Sequence, residues 1–150
     1  MNDFRVMGPT AEIVIDGVRL IDLLRRVEAA PATAEGSPAL AGEYASLSAR
    51  TTFFPSRHFL GDTRPLLARD GKTVLLICTC GCEGCWDFVG RITVTDRTVT
   101  WGEFEQVHRN WNYDSLGTFV FDRRQYETEL RFPTTMKGEF DPSDARGRTG

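Results

Sequence analysis

With 150 residues, 41% of them hydrophobic and 26% charged, the chain has the size and composition of one ordinary globular domain, able to fold without a disulfide or metal. Its formal net charge of −3 lacks the basic excess that nucleic-acid binding normally shows. No apolar run reaches the length of a membrane span, and the opening MNDFRVMGPTAEIVIDG has no basic-then-apolar leader, so the expectation is a cytoplasmic protein with reduced thiols.

Residues 1–10 read as a loose end, broken by Gly8 and Pro9. AEIVI, residues 11–15, reads as a short strand, and Asp16-Gly17 as a turn. In VRLIDLLRRVEAA, residues 18–30, Val18, Ile21, Leu24 and Val27 recur every three, with Leu20 and Leu23 widening the stripe. That pattern predicts an amphipathic helix with Arg25, Arg26 and Glu28 toward solvent, ended by Pro31. Residues 31–50, rich in Ala, Ser, Gly and Pro, read as a mobile connector with room for one helical turn. Residues 51–70 read as an ordered, irregular stretch or a short strand, whose Phe53, Phe54 and Phe59 cover an edge of the core.

The centre reads as antiparallel sheet. After the Asp70-Gly71 turn, TVLLICTC (73–80) is apolar on both faces and hence central. WDFVGRITVT (86–95) and TVTWGEFE (98–105) alternate in the strand manner and join through a short hairpin at Asp96-Arg97. HRNWNYDSLG (108–117) is a longer loop and TFVF (118–121) a last strand. Asp122 then caps a helix, DRRQYETELR, with Gln125 completing a capping-box-like pattern and Tyr126 and Leu130 facing inward. The expected fold class is α+β: an antiparallel β-meander with flanking helices packed on one face. It occupies a single domain over residues 1–132, followed by a polar tail, 133–150, expected to be disordered.

All four cysteines, Cys78, Cys80, Cys82 and Cys85, fall in CTCGCEGC. Were this segment straight, Cys78 and Cys82 would lie about 13 Å apart at ~3.3 Å per residue. Tetrahedral zinc holds its sulfurs at ~2.3 Å, roughly 4 Å from one another, so a metal site demands that the chain reverse at Gly81 and Gly84. Cys82-Glu83-Gly84-Cys85 has knuckle spacing, but no second C-x2-C follows, so the metal set would be Cys80, Cys82, Cys85 and His108, with Cys78 a further choice. A disulfide, with Cys80–Cys85 easiest across a hairpin loop, is a second reading. Dithiol catalysis is a third, disfavoured because a strand rather than a helix follows Cys85 and because Glu83 opposes a thiolate. The bland reading is packing: Cys78, inside LLIC, acts as a small apolar group, and Cys80 can do the same.

Of the two histidines, His58 reads as a surface or edge residue, whereas hairpin pairing can bring His108 to the cysteine turn, as a ligand or as the base of a Cys85–His108 dyad. No nucleotide-binding, nucleophile-elbow or zinc-protease motif occurs, which leans away from an enzyme. Arg109, Trp111 and Tyr113 sit in a polar loop and suit a protein interface, though folding back over the sheet is an equal alternative. The expected function is a non-enzymatic accessory module that binds another protein, of the immunity or regulator kind, with no membrane or nucleic-acid partner. The alternative is a zinc or thiol site at the Cys80–Cys85 turn, zinc being the one cofactor the residues could hold.

CTCGCEGCW, VTWGEF and FVFDRRQYETEL together resemble a set of small bacterial proteins of uncharacterised function, with a C-x-C-G-x-x-G-C-W turn, a V-T-W-x-x-F strand and an F-x-F-D-x-x-Q-Y-x-x-x-L ending. The resemblance covers about a third of the chain and implies a common fold and turn, without a known activity. In that pattern an acidic residue often stands at the place of Cys82, which implies that Cys78, Cys80 and Cys85 are the sulfurs that matter.

Overall fold

The structure, a computed structural model, describes residues 1–64, 67–81 and 84–131. The tail 133–150 and Cys82 therefore lie outside the described residues. In chain order the strands and helices are β1 (Phe4–Met7), β2 (Glu12–Ile15), β3 (Val18–Arg19), α1 (Leu20–Ala34), β4 (Tyr44–Ala45), α2 (Ala49–Thr52), β5 (Ala68–Arg69), β6 (Lys72–Cys78), β7 (Phe88–Val94), β8 (Thr98–Gln106), β9 (Phe119–Asp122) and α3 (Arg123–Arg131). The class is α+β. The meander β6-β7-β8-β9 is antiparallel throughout, with β4 and β5 both paired to β6, while β1-β2-β3 forms a separate ribbon.

The supposed loose end is β1. Phe4 and Val6 alternate with Arg5 and Met7, and both apolar residues are fully buried. The two predicted Asp-Gly turns form as such: Asp16 and Asp70 take φ of 52° each, and Gly17 and Gly71 follow at 81° and 79°. Two consecutive residues at positive φ match the twist of the strands they join, which is why this dipeptide marks hairpins.

Helix α1 departs from expectation at both its face and its end. Its buried positions are Leu20, Leu24, Glu28 and Ala32, a strict four-residue stripe, so Glu28 points into the protein rather than to solvent. Pro31 does not end it. The helix runs on to Ala34, and Glu35 N–H donates to Pro31 O at 3.2 Å. Proline forfeits only its own N–H, and a single lost bond in a last turn is tolerable where packing holds the helix. Nor is 31–50 a loose connector: Tyr44 and Leu47 are buried, and β4 pairs Tyr44 with Cys78 and Ala45 with Ile77.

The core centres on aromatic rings from distant segments. Phe4 stacks on Tyr126 at 4.2 Å and meets Trp101 and Phe121 edge-on at 5.8 and 5.1 Å. Trp101 Nε1 donates to the Tyr126 hydroxyl at 3.0 Å, and that hydroxyl donates to Phe59 O at 2.5 Å, so both buried polar handles are satisfied. Asp122 caps α3 as expected, accepting from Gln125 N–H at 2.9 Å. The Gln125 side chain does not close a capping box. It accepts from Phe4 N–H at 3.2 Å and donates to Phe4 O, while Glu129 accepts from Val6 N–H at 3.0 Å. The outer edge of β1 is thus occupied by helix side chains where another strand would otherwise dock.

Candidate metal centre

Strand β6 ends at Cys78, and Gly81 N–H donates to Cys78 O at 2.9 Å to close a tight turn. Gly81 and Gly84 take φ of 86° and 83°, so the chain reverses where the glycines allow it, and β7 returns antiparallel to β6. The turn is fastened from behind. The buried Asp87 carboxylate accepts from Gly84 N–H at 2.8 Å, and Val107 N–H donates to Asp87 O at 3.1 Å. His108 Nε2 donates to Gly84 O at 2.8 Å, and Gln106 Oε1 accepts from His108 N–H at 2.6 Å.

This frame brings three sulfurs together. The Sγ atoms of Cys78, Cys80 and Cys85 all lie within 4.8 Å of one another. Cys78 is half-buried and the other two are exposed; all three are thiols. Cys78 is therefore not core filling: its sulfur belongs to the cluster and accepts from Cys80 N–H at 3.4 Å. Hydrogen bonding with Cys78 and Cys80, then their charge, pushes the Cys85 thiol up to about 11, because a thiolate there forms beside two other sulfurs. A bound cation reverses that penalty, and soft thiolates select ions such as zinc and copper(I). Tetrahedral zinc would need the sulfurs only slightly closer, roughly 4 Å apart.

Of the four expected ligands, Cys80 and Cys85 meet and Cys82 lies outside the described residues. His108 reaches the turn but presents Nε2 to the Gly84 carbonyl rather than to a sulfur, and its ring stacks on Trp86 at 6.2 Å and 14°. The Cys85–His108 dyad gains no support from that geometry or from a thiol held so high.

The loop 108–117 divides. The Arg109 guanidinium lies 4.9 Å from the Trp86 ring and 6.0 Å from the Trp111 ring. Arg109 Nε donates to Glu35 Oε1 at 2.9 Å and Trp111 Nε1 to Glu35 Oε2 at 3.2 Å, which clasps the loop to the end of α1. The Arg109 hydrogen bond holds the Glu35 carboxyl below its usual range. Arg109 and Trp111 remain half-exposed, but Tyr113 turns inward and is only 6% exposed. Its hydroxyl donates to Glu28 Oε2 at 2.5 Å, beside the Tyr44 hydroxyl at 2.5 Å and Gly42 N–H, which donates to Oε1 at 2.8 Å. Burial raises the Glu28 carboxyl above its ordinary value, opposed by those three donors, and burial raises both tyrosines too. Sequence reasoning missed Glu28, although its place four residues after Leu24 was a signal. It also put His58 on the surface, where the structure buries it with Nε2 donating to Val74 O at 2.7 Å and Nδ1 accepting from the Thr63 hydroxyl.

Fold and site together define an α+β protein with a three-thiol cluster on the reversal between two central strands. No protein-family model matches the chain, and no curated protein or solved structure matches it. Among the described residues no helix is long and apolar enough to cross a membrane.

Proposed function

We propose that the protein is a small accessory module built around a thiolate metal site, with Cys78, Cys80 and Cys85 as ligands and zinc as the ion. One observation carries the reading: three sulfurs from a single glycine-bent turn lie within 4.8 Å of one another. Two neighbouring sulfurs that hinder ionisation of Cys85 make it a poor nucleophile, while three sulfurs so close suit a cation that shares their charge. For the fourth ligand of a tetrahedral ion the sequence offers Cys82 and His108.

Such an ion ties the end of β6 to the approach to β7 and stiffens the turn that carries Trp86. The Trp86, Arg109 and Trp111 group beside it is the surface through which the module would bind another protein, since Trp and Arg dominate binding energy at interfaces. The reading favours binding over catalysis because a thiol held near 11 is almost wholly protonated at neutral pH.

Metal analysis of protein purified without added zinc tests it. About one zinc per chain is expected, lost in Cys80→Ser and in Cys85→Ser. Metal-free protein whose thiols all titrate freely, and which takes up no zinc on addition, would remove the reading.

A further inference from the structure

We infer that the cleft between α2 and residues 56–64 binds a small phosphate-bearing anion, gripped by Arg50 and Arg57. The cleft has a volume of about 490 Å³, within the range of small-molecule sites. Among the described residues, three guanidinium groups, Arg50, Arg57 and Arg64, line it against one carboxylate, Asp62, on a chain whose net charge is −3.

Several arginines of this protein are engaged elsewhere: Arg19 pairs with Glu12 and Asp22, Arg91 with Glu103, and Arg109 with Glu35. Arg50 and Arg57 are exposed and form no ion pair among the described residues, so their forks are available to a ligand. Guanidinium matches phosphate oxygens two at a time, which favours phosphate over a monatomic anion. The Thr51 hydroxyl, which accepts from Ser48 Oγ at 3.2 Å, adds a further donor to the wall.

Its floor is fixed. His58 lines the cleft yet is only 2% exposed, bridging Val74 O on β6 and the Thr63 hydroxyl. With Nε2–H committed to a carbonyl and Nδ1 to a hydroxyl, the ring is a neutral brace that holds the arginine-bearing segment against the sheet. Among the described residues of the lining there is no Phe, Tyr or Trp to stack a base. Recognition is of the phosphate group itself. The site is independent of the thiol cluster and would survive that reading's failure.

The test titrates the full chain with inorganic phosphate and with pyrophosphate at constant ionic strength, by calorimetry and by the His58 ring ¹H–¹⁵N resonances. Saturable binding of at least one anion is expected, with shifts at His58, and with affinity at least about tenfold lower in Arg50→Ala and in Arg57→Ala. Both positions are exposed, and an unchanged thermal midpoint would show that the variants fold. A response that mirrors added chloride, without saturation by about 20 mM, would overturn the proposal. So would binding that persists in the Arg50→Ala/Arg57→Ala double variant.

Discussion

Replacing Glu28 with alanine is expected to destabilise the protein by about 3–5 kcal/mol. The carboxylate is fully buried and accepts from Gly42 N–H at 2.8 Å and from the Tyr44 and Tyr113 hydroxyls at 2.5 Å each. Alanine orphans three donors at once, each worth about 1–3 kcal/mol when left without a partner in the interior. The hydroxyls can rotate, which places each tyrosine near the low end, and the cavity adds a smaller cost. At about 3–5 °C per kcal/mol for a domain of this size, the thermal midpoint falls by roughly 10–20 °C. Glu28→Gln behaves differently, because its Oε1 keeps the Gly42 bond and its amide can donate to the phenolic oxygens, although the two hydroxyl protons lose the acceptor they had in Oε2. It costs about 1–3 kcal/mol, less than alanine. The two variants also separate by pH. Burial raises the native Glu28 pKa above its ordinary 4.5, so its favourable contribution is complete below that value and declines as pH rises through the native one. Glutamine has no such decline, so the parent's stability relative to Glu28→Gln falls over the interval from pH 4.5 up through the raised native value. Urea unfolding followed by tryptophan fluorescence, repeated across that interval, measures both effects. An alanine variant within about 1 kcal/mol of the parent, or a glutamine variant as damaged as alanine, refutes the argument.

Three further outcomes are expected. Gln125→Ala strips both of its bonds to Phe4 and lowers stability by about 2 kcal/mol, with faster amide exchange at residues 4–7 by mass spectrometry. In Gly90→Ala the new Cβ falls 2.8 Å from Phe104 Cδ1 and 3.0 Å from Leu75 Cδ1. That overpacking costs about 1–3 kcal/mol in chemical unfolding, and Phe104→Leu in the same chain recovers part of it. In metal-free protein, alkylation of Cys85 is slow at neutral pH and still accelerating at pH 10, because neighbouring thiols hold it near 11; Cys78→Ser with Cys80→Ser returns it to ordinary thiol kinetics.

What the sequence made legible was local. Alternation marked β7 and β8, Asp-Gly marked two turns, Asp122 marked the start of α3, and the glycines around the cysteines marked the reversal. What it hid depended on partners far along the chain. Glu28 looked like a solvated charge because its donors lie on Gly42, Tyr44 and Tyr113, the last 85 positions away. His58 gave no sign of burial because the carbonyl that receives its proton is on β6. Its place inside LLIC made Cys78 read as packed, but the register of β6 shifts between Val74 and Leu76, and the sulfur emerges half-exposed. The aromatic loop was ambiguous for a related reason: Glu35, which secures Arg109 and Trp111, lies at the far end of α1.

The bonds from α3 to β1 span 121 and 123 positions. A chain emerging from the ribosome therefore holds a strand with an open edge, and an aromatic pocket without its Tyr126 wall, until nearly every described residue has been made. Closure is a late event that joins the two extremities of the fold, and it demands distant rather than neighbouring encounters. Until then the bare edge of β1 is a template for the wrong neighbour, so a chain cut before Glu129 is more hazardous as an aggregation seed than as a loss of function.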